Sequence, residues 1–154
     1  MNIFEEKIIP FCGIGNISFS MSYDDTKDYL KANGIKYTVD LWDNKGCDPE
    51  VPWKIIRIDN SISLFFAKDK MFKICLECNY SGLLENGIGI GMPIIKAQEI
   101  DSSLVYEEDE EYYSSKLGYW LEDDVGSRNI TSISIFIKEI LDDDMFFSYQ
   151  WTND

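Results

Sequence analysis

One short phrase is written twice in this chain, and it limits the possible folds more than any other feature. GIGNISFSMSYDD runs from Gly13 to Asp25, and GIGIGMPIIKAQE from Gly87 to Glu99. In each copy apolar residues alternate up to a methionine: Ile17, Phe19 and Met21, then Ile88, Ile90 and Met92. A residue suited to starting a helix follows each methionine, Ser22 as a cap in the first and Pro93 in the second. The spacing predicts two diverged copies over 13–78 and 87–151, each a short opening, a helix and an antiparallel meander, within one domain covering 1–154. Chance recurrence of Gly-Ile-Gly in an isoleucine-rich chain is the alternative. Cap, helix and strand order recur together, which favours duplication.

In the first copy SYDDTKDYLKANG reads as a helix. Ser22 caps it, Asp24 and Asp25 sit where the helix dipole favours anions, and Gly34 can end it. Tyr23, Thr26, Tyr29 and Leu30 form its inward stripe. Strand patterns follow at IKYTVDLW (35–42), WKIIRI (53–58), SISLFFA (61–67) and MFKICLEC (71–78). The segment 43–52 reads as a loop, with tight turns at Asp59-Asn60 and Lys68-Asp69-Lys70. In the second copy PIIKAQEIDSS (93–103) reads as a short helix. SLVYEE, KLGYWLE (116–122), ITSISIFIKEI (130–140) and MFFSYQW (145–151) then read as strands. The expected class is α+β, with two helix-plus-antiparallel-sheet halves forming one domain.

Charge narrows the function. Fourteen basic against 28 acidic residues give a net charge of −14. A nucleic-acid surface needs clustered Lys and Arg, so direct DNA or RNA binding is not expected. An anionic membrane would repel the chain, whereas a basic protein would be drawn to it. There is no histidine. That removes the commonest general base, the usual zinc ligand and the Ser-His and Cys-His nucleophile pairs. Cys75 and Cys78 form a CxxC inside a strand pattern, where residues three apart face opposite ways. Cys12 and Cys47 are isolated, so free thiols are expected rather than a metal or redox site. Gly87–Gly91 precedes a helix but lacks phosphate-loop spacing, so a structural turn is expected. No metal and no cofactor are anticipated. The start, MNIFEEKIIPF, reads as neither signal peptide nor membrane anchor, which places the chain in the cytoplasm and leaves its Asn-x-Ser/Thr triplets without meaning.

The stretch with most chemical character is Tyr106-Glu-Glu-Asp-Glu-Glu-Tyr-Tyr113. Glu107, Glu108, Asp109, Glu110 and Glu111 repel one another unless something answers them. An ordinary solvated loop is one reading. Calcium would want alternating oxygen ligands with a turn glycine, which this stretch lacks. The flanking Tyr112 and Tyr113, with Tyr119 and Trp120 and the further acids Glu122, Asp123 and Asp124, suit a surface for a basic protein. Asp142, Asp143 and Asp144 add a third acidic run.

The opening Gly13, Gly15, Ile17, Phe19, Met21, Ser22, echoed more loosely by Gly89, Ile90 and Met92, resembles that of small bacterial proteins with repeated helix-plus-hairpin units. The β-lactamase inhibitor proteins show that architecture. Ser20 stands where glycine is frequent, and Pro93 replaces Ser or Thr in the second copy. Taken whole, a short, acidic, aromatic-rich, histidine-free chain is similar to immunity proteins of bacterial toxin systems, including contact-dependent growth inhibition. The resemblance implies an intracellular, non-enzymatic inhibitor that occludes the active site of a basic toxin, with a nuclease as first expectation. Immunity proteins share no binding motif, so no site residue carries over. A histidine-free enzyme using carboxylates, and an acidic scaffold or nucleic-acid mimic, are the rival classes.

Overall fold

The structure, a computed structural model, describes residues 2–43 and 51–153. Most of the loop read at 43–52, with Cys47, lies outside the described residues. The chain enters through a 3₁₀ turn, Ile3–Glu5, and three two-residue strands, β1 (Ile8–Ile9), β2 (Gly13–Ile14) and β3 (Ile17–Ser18), that form a small sheet. Helix α1 spans Tyr23–Ala32. Ser22 caps it, its Oγ accepting from the Asp25 N–H at 3.0 Å, and Thr26 and Leu30 are its buried positions. Four strands come next: β4 (Thr38–Trp42), β5 (Trp53–Ile58), β6 (Ile62–Ala67) and β7 (Lys70–Glu77). Asp59 turns the chain between β5 and β6, and Lys68-Asp69 between β6 and β7, all three with positive φ.

The second half repeats the order. Helix α2 covers Ile94–Ile100, followed by β8 (Val105–Glu107), β9 (Tyr112–Ser115), β10 (Tyr119–Asp123) and β11 (Ile130–Phe136). The eight long strands make one antiparallel sheet in the order β4-β5-β6-β7-β11-β10-β9-β8. Each meander therefore runs inward from an edge, and the two meet where β7 pairs with β11. The expected α+β fold of two helix-plus-sheet halves is what the chain adopts.

The correspondence extends to single hydrogen bonds. Each helix start is tied to the turn before the last strand of its own half: the Tyr23 N–H donates to the Asp69 carbonyl (3.0 Å), and the Ile94 N–H to the Arg128 carbonyl (2.8 Å). Asp69 and Arg128 both have positive φ. Ser22 bridges to Lys70, as Pro93 does to Asn129. Setting Lys70 on Asn129 puts Phe72 on Thr131 and Cys75 on Ser134. Phe72 and Thr131 are then the extra residues of two equivalent bulges, between Phe65/Phe66 and between Glu122/Asp123 on the partner strands. The joint is symmetric about one pair: Cys75 faces Ser134, Ile74 faces Ile135, Leu76 faces Ile133, Lys73 faces Phe136 and Glu77 faces Ser132. A bulge adds one unpaired residue and sharpens local twist, so two at matched positions bend the halves alike.

Helices and small sheet lie on one face of the large sheet. Leu30, Ile94 and Ala97 pack there with Ile56, Ile58, Leu64, Ile74, Leu76, Leu121, Ile133 and Ile135. Ile17 and Ile88, each four residues before the methionine of its opening, are both buried in it.

The chain's last segment departs from the strand expectation at 145–151. Asp142 caps a short helix, α3 (Asp143–Phe147), accepting from the Asp144 and Met145 N–H groups. Tyr149 is left-handed at φ 55° and begins a 3₁₀ turn, Gln150–Thr152. The strand expected over 130–140 likewise stops at Phe136 and gives way to a 3₁₀ turn at Lys138–Leu141. The repeated meander thus ends at Phe136. Beyond it the chain crosses to the other face of the sheet, where Phe146, Tyr149 and Trp151 pack with Trp53, Phe65 and Phe72.

Candidate functional site

Side chains of a strand alternate between faces. With Tyr119, Leu121, Ile133 and Ile135 turned toward the helices, Trp120, Glu122, Ser132, Ser134 and Phe136 take the opposite face. The C-terminal segment covers that face around β5–β7. On the β9–β10 side an aromatic row lies half-buried. Tyr112 stacks on Trp120 (4.4 Å, 13° between planes), and Trp120 packs on Phe136 at 4.3 Å. From β7, Lys73 lies over Phe65 (5.0 Å) and Trp120 (5.7 Å). Glu122 accepts from the Ser132 hydroxyl at 2.9 Å.

The five consecutive acids stand beside this row. Glu107 ends β8, and residues 108–111 turn the chain into β9. The N–H groups of Glu110 (3.2 Å) and Glu111 (2.8 Å) donate to the Glu107 carbonyl. Glu111 is left-handed at φ 60°. All five are exposed. The expected loop is therefore the tip of a hairpin, and Tyr112–Ser115 is a strand that the acidic run conceals from a sequence reading. Burial, then the charges of Glu110, Glu107 and Asp143, push the Tyr112 hydroxyl up to about 12.

The remaining candidates divide. Tyr113 is half-buried on the helix side, 4.9 Å from the exposed Tyr106. Tyr119 is only 1% exposed and cannot anchor a partner. Its hydroxyl donates to Asp101 and accepts from Asn86 Nδ2 at 3.2 Å. Asp123 is half-buried and paired with Arg128 at 3.4 Å. Asp124 accepts from the Ser127 N–H at 2.8 Å, and hydrogen bonding lowers its pKa. Glu122, Asp123 and Asp124 thus form no common acidic surface, because alternation sends the first two to opposite faces and the third shapes a turn.

Asp101, just after α2, is a buried acid that no sequence motif marks. The Ser103 N–H (3.0 Å) and hydroxyl (2.7 Å) and the hydroxyls of Ser115 and Tyr119 all donate to it. Burial alone would raise its pKa. The hydrogen bonds from Ser115, Tyr119 and Ser103 outweigh burial and hold it below the ordinary value. Every group it touches is satisfied, so it fastens α2 to β9 and β10.

A cleft of about 710 Å³ lies between the N-terminal turn and the end of α1, and among its described lining residues Lys36 and Asp59 are charged. Among the described residues no group of acids and thiols is placed to hold a metal ion. Cys12, Cys75 and Cys78 are free, and burial pushes the Cys75 thiol up. No described helix is long and apolar enough to cross a membrane. Lys73 and Phe65 carry no motif; only the β7–β11 register brings Lys73 to Trp120. No protein-family model, curated protein or solved structure gives a significant match to this chain.

Proposed function

We propose that this protein is a cytoplasmic immunity protein, a stoichiometric and non-enzymatic inhibitor that covers a basic protein toxin, first among them a nuclease. The observation that carries this reading is the exposed acidic turn Glu107–Glu111 running directly into Tyr112, whose half-buried ring stacks on Trp120 at 4.4 Å. A nuclease needs a cationic cleft for phosphate, and an exposed acidic tip can enter it. Charge at the rim accelerates encounter, whereas a packed aromatic centre slows dissociation. Glu122 and Lys73 flank the ring pair and can orient the partner.

Stopped-flow binding to a cognate basic nuclease toxin tests the division of labour. Converting Glu107, Glu108, Asp109, Glu110 and Glu111 to Gln or Asn slows association and flattens its salt dependence. Trp120→Ala and Tyr112→Ala instead speed dissociation, at a cost of about 2 kcal/mol where the ring is a central anchor. An unchanged on-rate after neutralisation, or an unchanged off-rate after both ring truncations, would sink the reading.

A further inference from the structure

The two edges of the large sheet are unlike. Strand β8 is three residues long and runs into the acidic tip. Strand β4 is five residues long, Thr38-Val39-Asp40-Leu41-Trp42, and every one of them is exposed. Val39 is 44%, Leu41 69% and Trp42 53% exposed. No strand pairs with its outer edge among the described residues. Edge strands are normally blunted by Lys, Pro, a bulge or short length, because alternate residues leave unpaired N–H and C=O groups pointing outward. β4 has none of these devices. Its one charge, Asp40, is answered from the next strand by the Arg57 Nε.

We propose that the outer edge of β4 takes an extended basic segment of a partner protein as an added strand. Its side chains state what that segment carries. On the helix side Val39 and Leu41 offer an apolar strip. On the other face Asp40, whose Oδ2 is held by Arg57, offers its second carboxylate oxygen, and Trp42 a ring whose one side packs on Trp53 at 5.2 Å. A strand alternating apolar residues with Lys or Arg meets both, its cation lying opposite Asp40 and beside the Trp42 ring. A second copy of this chain is the wrong occupant, because two bodies of charge −14 would meet edge to edge. This surface does not rest on the acidic tip. The two edges are separated by seven strand spacings, about 34 Å along the sheet.

Capped seven-residue peptides on the full chain test it: one alternating Val and Lys, a twin with Glu for Lys, and a twin N-methylated at alternate residues. The Val-Lys peptide binds about tenfold or more tightly than either twin, and amide exchange slows at residues 38–42. Leu41→Lys, at a position exposed enough to tolerate the change, weakens binding about tenfold. Neutralising Glu107–Glu111 leaves exchange protection at 38–42 in place, which separates this surface from the tip. Equal binding by the N-methylated twin, no binding by the Val-Lys peptide, or protection elsewhere than β4 overturns the proposal. So does dimerisation of the full chain that Leu41→Lys abolishes.

Discussion

The first half, α1 with β4–β7, and the second, α2 with β8–β11, share a backbone and almost nothing else. Both helices start from the same bond to a left-handed residue, and both meanders bulge at the same place. Yet the bulged residue is Phe72, 1% exposed among Trp53, Phe146 and Trp151, in one half and the exposed Thr131 in the other. The helices end on the exposed Asn33 in one half and the buried Asp101 in the other. The edges are an apolar β4 and a short, acid-flanked β8. Backbone hydrogen bonding constrains geometry without constraining side chains, so equivalent positions were free to take opposite chemistry. Stability and recognition therefore sit at different points of the two halves.

The bulges give the largest contrast. Phe72→Ala opens a cavity in the second aromatic cluster and costs about 3–5 kcal/mol. Thr131→Ala, at the matched position, changes stability by less than about 0.5 kcal/mol. Urea unfolding measures both, and similar losses at the two sites would mean that the bulges are not energetically distinct.

The helix ends come next. Asp101→Ala strands the hydroxyls of Tyr119 and Ser115 and costs about 2–3 kcal/mol, whereas Asn33→Ala costs about 1 kcal/mol or less. Asp101 also has a pH signature. Its folded pKa lies below the unfolded one, so its contribution is complete above the unfolded value and is lost as the pH falls below about 4. The gap between the unfolding curves of the wild type and Asp101→Ala should narrow on acidification. If the gap between them stayed constant down to about pH 2, Asp101 would owe its effect to packing alone.

The smallest contrast lies at the helix starts. Ser22→Ala removes a side-chain cap and costs about 1 kcal/mol. Pro93 makes no cap bond, so Pro93→Ala costs less. A larger loss at Pro93 would mean that its fixed φ holds the opening of the second half in place.

Much of the frame was legible because it is local. The Ser22 cap, the α1 stripe, the strand WKIIRI and the turns at Asp59 and Lys68-Asp69 come from propensity and period, which a few neighbouring residues decide. Two segments mislead because local signals compete in them. The aromatic run at 145–151 has strand composition, but Asp142, Asp143 and Asp144 are a helix start and prevail. The five acids before Tyr112 form an exposed turn, as their charge suggests, but they hide the strand Tyr112–Ser115 that follows. Of the candidate site, the acidic tip, Tyr112 and Trp120 stayed together on exposed or half-buried ground. Tyr119 went into the core, because an alternating strand has no intrinsic inside.

By itself, the sequence determined most of the elements, their twofold repetition, the acidic balance and the absence of histidine chemistry, all of which are written in residue types and short spacings. Tertiary structure alone decided that β7 meets β11 at Cys75 and Ser134. That one register sets which face each later side chain takes, since a slip of one residue would turn every one of them over. It brought Lys73 to Trp120 and sent Tyr119 inward to Asp101. Strand order then placed β4 at one edge of the sheet and the acidic tip at the other, outcomes that depend on contacts between residues far apart in the chain.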